Sequence, residues 1–392
     1  MTNREQALAV LRYKDYDRLP VVHFGFWAET LLKWAEEGHI TADEAQNWAD
    51  GNPADAAISK KLGFDFNWYS TFTPASTVRP GFERKVISTF TDGTRHEFNS
   101  LGVVVVCSPQ AGSIPAEISH TLTDRASWEE HYKHRLQWAD ARVTGAFVRM
   151  NDEMVRFDEG GLEFLKANQR DYIYGLHCGS LYGAIRDILG VEGSCYLMAD
   201  DEVLFDEIIQ TVGDLCYNNV KYALESGAKF DFGHFWEDIC FKNGPLIAPS
   251  VFAEKVGPQY RRITELLKRH GIDIVSLDCD GLIDALIPTW LENGINTMFP
   301  IEVGTWNASI KPWRAQYGRT IRGVGGMNKT VFARDRVAVE VEVERLKGLV
   351  ELGGYIPCPD HRIAPDAKWD LVQYYCRVMR ETFPARQLEL HR

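Results

Sequence analysis

Short apolar, β-branched runs alternate with longer amphipathic stretches along most of the chain. Runs of this kind occupy residues 20–27, 146–150, 171–177, 230–235, 272–278, 297–301, 320–324 and 354–358. They predict strands buried on both faces, whereas residues 201–226, 250–270, 282–293 and 331–352 repeat their apolar positions at helical spacing. Two further helices are expected near the start, at 4–16 and, on the surface, within 29–50. Strand followed by helix, repeated, is the signature of a parallel α/β sheet. The count of eight, with no GxGxxG after the first strand, favours a (β/α)8 TIM barrel over a doubly wound sheet. One segment breaks the rhythm. FERKVISTFTDGTRHEF at 82–98 places Asp92-Gly93 between alternating runs, and LGVVVV follows at 101–106, so a small antiparallel β insertion is expected over about 82–115 of a single domain spanning 1–392.

A barrel presents its chemistry at the C-terminal ends of its strands, and polar residues collect there. His23 lies within the first run and His177 ends the third; His234 is followed by Trp236, Glu237 and Asp238. Glu302 comes just after 297–301, Arg322 and Lys329 flank GVGGM, and Asp360 and His361 follow GYIPCP. The densest stretch is GIDIVSLDCDGL at 271–282. Strand alternation sends Asp278 and Asp280 to one side and Cys279 to the other, so two carboxylates share one small space. Such a pair either caps the following helix or accommodates a cation or a shared proton.

Composition narrows the partners. The 392 residues are 45% hydrophobic and 25% charged, with a net charge of −12 and no run of Lys or Arg, which argues against nucleic acid and anionic membrane surfaces. Eight cysteines without any CxxC exclude a zinc ribbon and a secreted disulfide framework. MTNREQALAV does not read as a signal peptide and no apolar stretch reaches membrane-spanning length, so a cytoplasmic protein is expected. A homodimer is left open.

Four phrases carry a family resemblance: RDILGVEG (186–193), WEDICFKNGPLIAPSVF (236–252), GGMNK (325–329) and GGYIPCPDHRIAPDAKWD (353–370). From about Tyr172 onward, and more loosely throughout, the chain resembles the uroporphyrinogen decarboxylase superfamily, whose members are (β/α)8 barrels. That superfamily holds porphyrinogen decarboxylases and corrinoid-linked methyltransferases. The decarboxylases carry an N-terminal PxWxMRQAGR whose arginine grips substrate propionates; here the segment is LPVVHFGFWAETLL, with no arginine between Arg18 and Arg79. Arg is the side chain suited to bidentate carboxylate binding, so a decarboxylase is the second choice.

The coenzyme M methyltransferases of the superfamily bind zinc through phrases resembling HICG and PGC. Against these, DCDG sets Asp278 at the histidine and Asp280 at the first cysteine, while PDH sets His361 at the second cysteine. Each replacement is still a metal ligand, and the set is harder than one built on thiolates. The resemblance therefore implies Zn2+ held by Asp278, Asp280 and His361, acting as a Lewis acid on the ether oxygen of a methoxylated, aromatic substrate. The methyl group would pass to the Co(I) corrinoid of a separate small corrinoid protein, as in O-demethylases. His234 or His177 is expected to protonate the departing oxygen, with Glu237 as a further ligand or as support for that acid. His23, Trp236, Glu302, Arg322 and Lys329 are expected to line the substrate site. N- or S-methyl donors, and a corrinoid-protein binding module without turnover, are the remaining alternatives.

Overall fold

The computed structural model describes residues 1–109 and 115–384. Seven parallel strands form one sheet in the order Tyr355–Pro359, Arg322–Met327, Thr297–Phe299, Val275–Asp278, Gly233–Trp236, Gly175–His177, Thr71–Phe72. Phe66–Asn67, just before the last of these, pairs in parallel with Val22–His23. Phe26 in turn bridges in parallel to Ile363, beyond Tyr355–Pro359. Helices such as Tyr182–Asp200, Glu202–Glu225, Gly257–Arg269 and Arg336–Val350 connect successive strands. The arrangement is compatible with a TIM-barrel-like fold. No helix among the described residues is long and apolar enough to cross a membrane.

Two expectations change. Phe147–Met150 is not part of the parallel sheet; it pairs antiparallel with Glu153–Arg156. Asn151 supplies the positive φ (57°) that a tight hairpin turn requires, and the run is buried on one face only, with Val148 in the core and Phe147 exposed. The run 66–72, FNWYSTF, takes the expected place. Its mixed polarity hides it, although Trp68 is fully buried, stacks on Phe232 at 4.6 Å and donates Nε1–H to Ser276 Oγ at 3.0 Å.

The second change concerns Arg322–Met327, which runs further than the expected 320–324. Gly325 lets it continue, because a Cβ there would sit 1.4 Å from the Pro300 carbonyl oxygen. Arg322 consequently begins the strand. The inserted segment folds as an antiparallel sheet of Lys85–Thr89, Arg95–Phe98, Val103–Cys107 and Ala116–His120. Its expected end near 113–115 falls partly outside the described residues, and the fourth strand lies beyond it.

His23 belongs to the interior and not to a substrate site. It is wholly buried, its Nδ1 accepts Gly25 N–H (2.9 Å), and its Nε2–H therefore faces Ser59 Oγ (2.7 Å). Burial lowers its pKa to about 3. The unfolded chain takes up a proton near pH 6.5 that the folded imidazole refuses, so the stabilisation present above that pH is lost as pH falls toward 3. Denaturant midpoints should drop between pH 6.5 and 4, and His23→Gln should flatten that slope by roughly 2–4 kcal/mol. An unchanged slope would show that His23 charges at no cost.

Candidate metal centre

The end of Val275–Asp278 lies beside the end of Gly233–Trp236, with Trp236 paired to Asp278. The ladder runs one residue further through Glu237 N–H to the Asp278 carbonyl oxygen (2.9 Å). Beyond it the chain turns, and the carboxylates of Asp238, Asp278 and Asp280 come together with ligand oxygens within 4.8 Å of one another. His361, from the loop after Tyr355–Pro359, brings Nε2 to 3.2 Å from Asp280 Oδ2. Residues some eighty positions apart thus meet at the C-terminal ends of strands that have two others between them in the sheet.

The His361 ring is fixed by aromatic packing, stacked on Trp27 (5.3 Å, 18°) and edge-on to Phe24 (5.6 Å). Burial, with the nearby Lys329 ammonium, lowers its pKa to about 4, which leaves a neutral imidazole at physiological pH. Burial and mutual repulsion act the other way on the carboxyls. Burial, then the neighbouring Asp238 and Asp280, hold Asp278 well above the ordinary range, while Asp238 is pushed up to about 6 by burial and by Asp280. Asp280 also rises to about 6 through burial, opposed by Lys329.

Asp280 Oδ1 and His361 Nδ1 are buried without a hydrogen-bond partner. Three crowded carboxylates, a neutral imidazole and an orphaned carboxylate oxygen are a donor set that fits a divalent cation. Tyr69, from the unexpected strand run, places its hydroxyl against Asp278, and its ring packs edge-on to His234 at 4.7 Å. Nothing in the local sequence marks it; only the missed strand positions it.

Glu237 is placed away from the cluster. Its side chain is fully buried and accepts four hydrogen bonds, from Leu181, Tyr182 and Gly183 N–H (2.9, 2.9 and 2.7 Å) and from Tyr260 O–H (2.5 Å). The donors are the first amides of the Tyr182–Asp200 helix, so Glu237 caps that helix. Gly183 permits the approach, since a Cβ there would lie 2.1 Å from the Glu237 carbonyl oxygen.

His177 and His234 are cross-strand partners with ring centroids 5.8 Å apart. Burial lowers His177 to about 4 and His234 well below its usual value, with His177 as a further cause for the latter. Both are neutral at pH 7 and cannot serve as imidazolium acids. His177 Nδ1 accepts Gly179 N–H (3.1 Å), which leaves its proton on Nε2. Both ring nitrogens of His234 are buried without a partner.

Of the expected substrate-lining residues, Lys329 and Glu302 lie near the cluster and Trp236 is half-buried beside it, with the Arg186 guanidinium 5.8 Å from its ring centroid. Glu302 accepts from Gly281 N–H and Thr305 O–H. Arg322 lies at the opposite end of the sheet, because it starts its strand; its Nε donates to the Leu11 carbonyl (2.6 Å) and its guanidinium covers the Tyr13 ring. Asp360 accepts from Val303, Gly304 and Lys329 N–H and is engaged in holding loops together. Arg362, unforeseen, sits between the Phe24 and Trp48 rings with its fork on Asp50 (3.1 and 2.6 Å).

No protein-family model and no curated protein matches the sequence. Among solved structures, a methyltransferase from Methanosarcina mazei is similar over 97% of this chain and 99% of its own, with TM-score 0.61 and 13% identity. A putative vitamin-B12 independent methionine synthase from Listeria monocytogenes covers 56% of this chain and 69% of its own at TM-score 0.34 and 14% identity, a likeness that carries no argument. At such identities what is shared with the first is the fold: the chain has the α/β architecture of that methyltransferase over nearly its whole length.

Proposed function

We propose that the parallel strands close into a (β/α)8 barrel whose mouth holds a metal-dependent methyltransferase site. The methyl group of a methoxylated, aromatic substrate passes to the Co(I) corrinoid of a separate small protein, in the cytoplasm. The observation that carries this reading is a strand-end cluster in which the carboxylates of Asp278, Asp280 and Asp238 lie together and the His361 imidazole reaches Asp280. The shared architecture with a methyltransferase supports it.

Asp278, Asp280 and His361 would hold the cation, with Zn2+ as the proposed ion. When bound it supplies Lewis-acid polarisation of the ether oxygen. The chain's own residues do the rest. Tyr69 orients Asp278, and the Trp27 and Phe24 rings hold His361 in a ligand-ready pose. His177 presents a neutral Nε2–H, a hydrogen-bond donor for an oxygen as negative charge develops there. In the transfer the O–CH3 bond breaks with its electron pair staying on oxygen, and the Co(I) electron pair forms the new Co–CH3 bond. The demethylated oxygen then takes a proton from solvent. Lys329, which makes no salt bridge within 4.0 Å among the described residues, is the cation placed to meet a carboxylate on the substrate.

Metal analysis of the purified protein, followed by incubation with a methoxylated aromatic and reduced cobalamin, tests this. The expected result is close to one metal ion per chain and methylcobalamin formation that chelators stop. Protein that holds no metal, with activity indifferent to chelators, would overturn it.

A further inference from the structure

Arg322, at the start of its strand, belongs to a group of cations at the end of the sheet away from the metal centre. Tyr13, just past the Asn3–Leu11 helix, gathers three guanidiniums around one ring: Arg314, Arg319 and Arg322, at 5.0, 5.2 and 5.5 Å from its centroid. A ring has two faces, so it cannot stack three cations, and each such contact is weak where water reaches it. The hydrogen bonds of the three go to neutral carbonyls: Arg314 donates to Leu352 and Ile321 (2.8 and 2.9 Å), and Arg322 to Leu11 and Thr320. Among the described residues no carboxylate lies within 4.0 Å of any of them, and Asp273 is committed to Arg12 (2.6 Å). Arg314 Nε is buried without a hydrogen-bond partner. In a chain of net charge −12, three such cations within positions 314–322 form a site that lacks its counter-charge. Beside the ring opens a cavity of about 170 Å3, whose lining includes Tyr13, Lys14, Asp15, Arg319 and Glu351.

We infer that Arg314, Arg319, Arg322 and Lys14 form a binding site for a phosphate group, separate from the metal centre and independent of it. The guanidinium fork matches phosphate oxygens in pairs, and a phosphate carries enough oxygens to engage several forks where a carboxylate has only two. Lys14 adds a point charge at the cavity wall. Asp15 and Glu351 in the same lining would repel a long polyanion, so the ligand is a single phosphate group, free or on a small ester.

Calorimetric titration of the full chain with inorganic phosphate and, separately, with glycerol 3-phosphate, at ionic strength held constant with NaCl, tests this. One saturable site per chain is expected, and the tighter ligand shows whether the group is taken free or as an ester. Arg319→Ala removes an exposed side chain that makes no hydrogen bond among the described residues, and it should weaken binding at least about tenfold. Arg319→Glu supplies the missing counter-charge from within the chain. It should abolish phosphate binding and raise the thermal midpoint of the phosphate-free protein. Wild type that takes up neither ligand, or an Arg319→Ala protein that binds as tightly as wild type, would overturn the inference. A phosphate-free Arg319→Glu protein less stable than wild type would mean that the three charges are already balanced, and would also overturn it.

Discussion

Asp278→Ala combined with His361→Ala is expected to leave a folded protein that holds no metal and forms methylcobalamin at least about a hundredfold more slowly. Either residue alone leaves part of a donor set in place; removing both takes away the buried carboxylate and the imidazole that lie close to Asp280. The fold should survive. His361 is held by ring packing against Trp27 and Phe24, and Asp278 is a carboxyl whose burial already disfavours its charge. Removing a buried charge that lacks a cation relieves the metal-free protein. The measurements are metal content, circular dichroism and cob(I)alamin methylation. A double variant that keeps wild-type metal and rate would remove the cluster from the mechanism.

The second large effect is one of stability. Glu237→Ala should cost roughly 3–5 kcal/mol in denaturant unfolding, because it leaves three helix-terminal amides and the Tyr260 hydroxyl buried without an acceptor. Burial pushes the Glu237 carboxyl up to about 7 while those four donors draw it down. Glu237→Gln would not rescue it, since an amide nitrogen turned toward N–H donors cannot accept. A Glu237→Ala protein as stable as wild type but slow in methyl transfer would return Glu237 to catalysis.

Several residues moved between expectation and structure for reasons visible in the chain. The alternation that turned Cys279 away from Asp278 and Asp280 applies equally to Glu237, which lies opposite to Trp236. Asp238 lies past the end of that strand with φ = +50°, so its direction could not be counted from strand positions. Arg322 was misplaced because the strand was expected over 320–324; Gly325 carries it on past the Pro300 carbonyl, and Arg322 stands at its start. The histidines were read as acids from their residue type, but protonation depends on burial, which strand composition does not reveal.

Taken by itself, the sequence determined the alternation of strand and helix, the β insertion around Asp92-Gly93, and the strand-end positions of Asp278, Asp280 and His361. These are local matters of hydrophobic period, turn chemistry and chain order. Only the tertiary structure decided which apolar run joins the parallel sheet, where Arg322 ends up, that Tyr69 meets Asp278, and that Asp238 and not Glu237 faces the cluster. Those outcomes depend on distances between residues far apart in sequence and on the desolvation each side chain meets once packed, and neither is encoded in the spacing of residues along one segment.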